Sequence, residues 1–132
     1  MSEHPNPYVR HQAELLSSLT DTLNQGLACA EELLVGWNLG VRASVLLVKE
    51  DPVQGQLAFG KLGGKWCLMY MTIDTTMSIF EASRRVRALA AGRIEALASR
   101  LVEELDLQVA DMTAANARLR EACEAIAATP KP

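Results

Sequence analysis

Histidine is nearly absent: His4 and His11 are the two in 132 residues. With none in the body of the chain, a Ser–His or Cys–His nucleophile pair has no base to draw on there. A metal site on these two would need Glu3 or Glu14 as well, and their spacing in a proline-containing start matches no ligand motif. Cysteine is scarce too. Cys29, Cys67 and Cys123 lie far apart and form no C-x-x-C pair, which argues against a disulfide framework and against zinc. They are expected to be small buried thiols. Long apolar runs are missing; Val45-Leu46-Leu47-Val48 is typical of what occurs. A bilayer-spanning helix needs about 20 such residues. The start, MSEHPNPYVRH, has no apolar signal-peptide core, so a cytoplasmic location is expected. Excess positive charge is also lacking. The formal net charge is −3, so no global basic field attracts nucleic acid or acidic membranes.

What the chain has is apolar aliphatic material in helical order. Hydrophobic residues make up 49%, enough for a core in one domain spanning 1–132. After the breaker-rich His4-Pro5-Asn6-Pro7, a helix is expected over 8–39. Leu16, Leu23, Ala30 and Trp37 recur every seven residues, with Leu19, Leu27 and Leu34 between them. Gly40 is placed as its stop.

A three-stranded antiparallel meander is then expected over 41–73. The run 41–49 (VRASVLLVK) is β-branched and apolar, and 50–55 is a turn cluster. Strands at 56–62 and 65–73 follow. Between them lies GKLGGKW, which poses the question of a phosphate-binding loop. Such a loop requires G-x-x-x-x-G-K-[ST] and opens a helix. Here Phe59 stands at the first glycine position, Trp66 follows Lys65, and the segment leads into another strand. Gly63-Gly64 instead suits a two-residue hairpin turn with positive φ at both residues. That turn sets Leu62 against Lys65, Lys61 against Trp66, Phe59 against Leu68 and Leu57 against Tyr70. Leu57, Phe59, Trp66, Leu68 and Tyr70 then share one face, with Lys61 beside the Trp66 ring. The other face carries Ala58, Gly60, Cys67, Met69 and Met71. Both faces are apolar, so one packs on helices and the other invites a cover.

Ser78-Ile79-Phe80-Glu81 matches a capping box, and a second helical pattern is expected over 78–128. It reads as one helix or as two with a break near 106–111. Its stripe runs through Val86, Ala90, Ile94, Leu97 and Leu101, then Leu105, Met112, Leu119 and Ile126. Val109, Asn116 and Cys123 each follow by four, and a polar residue such as Asn116 on a coiled-coil seam fixes register. The expected core is Leu16, Leu23, Leu34, Trp37, Val45, Leu47, Leu68, Val86, Leu97 and Leu101.

The fold class is therefore α+β: a long N-terminal helix, the meander, and a long C-terminal helix, either whole or broken into two. The expected function is non-enzymatic, a protein–protein interaction or assembly protein that forms a homo-oligomer or joins a larger complex. Its candidate contacts are Leu105, Met112, Asn116, Leu119 and Ile126 on the helix, and Phe59, Trp66 and Tyr70 on the sheet. No catalytic residue, cofactor, metal, membrane or small-molecule ligand is expected. The alternative is a nucleic-acid accessory module using Arg84, Arg85, Arg87, Lys61 and Lys65. Residues 75–102 hold five arginines and two glutamates, and residues 1–40 five acids and one arginine, so the basic helix is expected beside the acidic one.

Overall fold

A computed structural model describes residues 6–131. Helix α1 (Pro7–Trp37) leads into strands β1 (Ala43–Val48), β2 (Asp51–Leu62), β3 (Lys65–Met71) and β4 (Thr76–Ser78). A single 3₁₀ turn (Ile79–Glu81), helix α2 (Arg84–Ala91) and helix α3 (Ile94–Ala128) complete the chain. The class is α+β, with one antiparallel sheet in the order β1-β2-β3-β4. The expected three strands are thus four, because Thr76–Ser78 pairs with Met69–Met71.

Local chemistry sets the boundaries. Asn6 caps α1, its Oδ1 accepting from Val9 N at 2.8 Å, and Pro7 starts the helix where its missing N–H costs nothing. Asn38 ends it in the left-handed region, φ 51, two residues before Gly40. The turn after β1 is Lys49-Glu50, with Glu50 at φ 65, so β2 starts at Asp51 and absorbs most of the expected turn cluster. Pro52 is tolerated because pairing with β3 begins only at Gln56. Gly63 and Gly64 have φ of 61 and 83, and every cross-strand pair expected from that turn is present. Lys61 Nζ lies 5.5 Å from the Trp66 ring centroid.

The second helical stretch is divided, but not near 106–111. Ser78 caps only the 3₁₀ turn, accepting from Phe80 N, and Ser83 caps α2 by accepting from Val86 N. The α2–α3 break falls at Gly92-Arg93. There Arg93 leaves regular helical geometry, φ −116 and ψ 1, and its Nε donates to Leu46 O of β1 at 2.8 Å. Asp106 and Asp111 sit within an unbroken 35-residue helix, about 52 Å long.

The helices pack on the sheet face formed by Val45, Leu47, Leu57, Phe59, Leu68 and Tyr70. Leu27 and Leu34 of α1, Val86 and Ala90 of α2, and Leu97 and Leu101 of α3 close the core over it. Of the expected core, Leu34, Leu47, Leu68, Val86, Leu97 and Leu101 are buried, and Leu23 and Val45 lean on it. Leu16 and Trp37 do not belong there; each is 46% exposed, because the sheet covers only the central part of the α1 stripe.

Candidate interaction surfaces

The α1–β1 loop and the Gly63-Gly64 turn lie at the same end of the sheet, since Leu34, Asn38 and Gly40 approach Phe59 and Trp66. Helix α3 starts beside Leu46, and further along passes the same loop, Leu39–Val41, with residues 105–116. Both long helices therefore run toward this turn end. Straight continuation carries the second half of α3 past it, while the first half of α1 extends the opposite way.

Each overhang is apolar and exposed. On α3, Leu105 is partly buried against the core, whereas Val109, Met112, Leu119 and Ile126 are exposed, as are Asn116 and Cys123. These residues continue the stripe that Leu97 and Leu101 bury in the sheet. On α1, Tyr8, Val9, Leu15, Leu16 and Leu19 are exposed. Surface leucines are ordinary singly; a continuous seam on an overhanging helix is not.

The sheet candidates lie on the other face from the open one. Phe59 is a core residue and stacks on Trp66 with ring centroids 5.6 Å apart. Trp66 and Tyr70 are half-buried against the same core, and the Tyr70 hydroxyl donates to Gln54 O at 3.3 Å. Their availability as an exposed patch is thus corrected: the helices pack on the face that carries these rings. The open face is shallow. Ser44, Ala58, Met69, Met71 and Thr76 floor a hollow of about 410 Å³ rimmed by Arg42 and Lys61. Ala58 and Met69 are buried there, with the Met69 side chain folded over Gly60.

The cations do not converge. Arg84 and Arg85 are exposed on α2, and Arg85 reaches Gln54 Oε1 at 3.4 Å. Arg87 is half-buried, with its Nε buried and unpaired. Lys61 and Lys65 sit at the turn end, roughly 20 Å along β2 from Gln54 at about 3.3 Å per residue. The alternative nucleic-acid set is therefore split between two ends of the sheet. Helix α2 does pack on the acidic α1, but among the described residues the ion pairs are those of Arg100 with Glu103 and Glu104 on α3 itself.

Two further details lay outside the sequence reading. The Glu31 carboxylate accepts from Leu68 N at 2.8 Å, closing the stretch of β3 that β4 leaves unpaired. Burial pushes the neighbouring Cys67 thiol above its ordinary range, with Glu31 adding to the effect. Nor are all the cysteines buried: Cys29 and Cys123 are exposed, Cys123 because it lies on α3 beyond the reach of the sheet. His11 and Glu14 lie on the exposed part of α1, and Glu3 and His4 are outside the described residues. Among the described residues no three metal-binding side chains cluster, and no helix is long and apolar enough to cross a membrane. No family model, curated protein or solved structure matches the chain.

Proposed function

We propose that this is a non-enzymatic interaction or assembly protein, acting in the cytoplasm through the overhanging seam of α3. One observation carries the reading. The stripe that holds the domain together continues as Val109, Met112, Asn116, Leu119, Cys123 and Ile126 beyond the chain's own sheet. Most helical stability in proteins comes from packing an apolar face, and burying this seam against a partner would supply it. The split cations give the nucleic-acid alternative no comparable support.

The test is Met112→Asp/Leu119→Asp, compared with the unaltered chain by cross-linking in the native cell and by light scattering of the purified protein. The double variant should lose its cross-linked partners, or its self-association, while its near-UV spectrum stays unchanged. Retention of every partner by a folded double variant would remove the seam from the function.

A further inference from the structure

We propose that the seam of α3 pairs antiparallel with the same segment of a second copy of this chain. This rests on the interaction reading above and names its partner. In heptad terms Leu105, Met112, Leu119 and Ile126 are d positions, and Val109, Asn116 and Cys123 are a positions. Antiparallel pairing opposes a to d: Val109 meets the second copy's Leu119, Met112 its Asn116, and Leu105 its Cys123. Residues flanking the d positions then face their equivalents. That sets Asp106 against Arg120 at one end and Arg120 against Asp106 at the other, with Thr113 opposite Thr113 at the centre. Both charge pairs are opposite in sign, and the flanks on the other side hold Gln108, Ala115 and Ala122, none of them charged. Parallel pairing opposes these two flanks and brings no charges together.

The surroundings of the seam favour the same orientation. Leu39, Gly40 and Val41 stand across from Leu105, Val109 and Met112, leaving a groove of about 300 Å³. In the antiparallel arrangement only the bare end of the other helix, Leu119 to Ile126, approaches that groove. In the parallel one two whole domains crowd the same end. The pairing is isologous, so it closes as a dimer. Three heptads with Asn116 in two of their layers and little flanking charge predict micromolar affinity rather than an obligate assembly.

Light scattering of the purified full-length chain across micromolar concentrations should approach twice 14.4 kDa. Asp106→Arg sets like charges together at both ends and should weaken the dimer by about tenfold, as should Arg120→Asp. The combined Asp106→Arg/Arg120→Asp chain should recover most of that loss, with helix content unchanged in all three. Oxidation gives an independent reading. The two copies' Cys123 residues sit about 27 Å apart along an antiparallel pair, so no Cys123–Cys123 disulfide should form. A monomer at all concentrations, additive losses in the double variant, or a rapid Cys123–Cys123 disulfide would each overturn the proposal. If the chain is a monomer, yet Met112→Asp/Leu119→Asp abolishes its cellular cross-links, the seam serves a different protein. The interaction reading then stands while the second copy falls.

Discussion

Leu101 and Leu119 belong to one helix and one apolar stripe, yet Leu101 is 1% exposed and Leu119 60%. The first half of α3 finds β1 and β2 beneath it; the second half passes only the loop Leu39–Val41 and then runs beyond the sheet. Periodicity thus marks a face that is built to be covered. It does not say whether the cover lies in the same molecule. That depends on how far the sheet reaches, and the sheet ends at the Gly63-Gly64 turn.

The comparison breaks most visibly at the buried half. Leu101→Ala should cost about 2–5 kcal/mol, since it opens a cavity at a fully packed site. Urea unfolding should show it as a lower midpoint at unchanged slope. A cost below about 1 kcal/mol would mean that α3 is not clamped to the sheet. Gly55→Ala comes next, at about 2–4 kcal/mol. Its φ is 88, and a Cβ would stand 2.8 Å from both Met71 O and Tyr70 Cε1. Gly63→Val should cost less, about 1–2 kcal/mol, because its φ of 61 strains a β-branched residue but a Cβ meets nothing within 4 Å. Both are read from thermal unfolding, and the reverse order would refute the stated packing at Gly55. At the exposed half, Leu119→Ala should change monomer stability by no more than about 0.5 kcal/mol when measured well below the association range. The same methyl groups would then matter only to assembly.

Thiol chemistry sharpens the contrast between surfaces. Below the association range, Cys29 and Cys123 should react with a thiol reagent near pH 8 well before Cys67, whose burial holds its proton. Because the folded chain keeps that proton more tightly than the unfolded one, stability contributed by Cys67 falls as pH rises through and above the ordinary thiol range. Glu31→Gln removes one cause of the raised value and should speed the reaction of Cys67. Unchanged kinetics would separate Glu31 from the thiol.

How much of this was legible follows from what each signal is made of. The hairpin was fully readable because Gly63-Gly64 fixes the turn and the turn fixes the register. Strand β4 was not, since Thr76-Met77-Ser78 is too short to show alternation and gains its pairing from β3. The α2–α3 break was not legible because Gly92 alone is compatible with a helix; what decides the matter is Arg93 reaching a carbonyl 47 positions away in sequence. Leu16 and Trp37 fit the stripe and missed the core for the same reason as Leu119. The seam itself, Leu105 to Ile126, was legible as a pattern. Which sheet face the helices cover was not legible, because Phe59, Trp66 and Tyr70 look alike whether they greet a helix or a partner.

The polar plugs on the sheet margins have a consequence for how copies of this chain can meet. Arg93 occupies a carbonyl on the outer side of β1, and Glu31 occupies an amide on the unpaired stretch of β3. The remaining border, β4, is three residues long. A neighbouring strand arriving at β1 or β3 would have to evict a charged side chain before its first ladder bond could form. Runaway stacking of sheets into fibres is thereby discouraged at both places, in a chain whose strands are otherwise rich in Val, Leu and Met. Contact between molecules is left to surfaces that saturate.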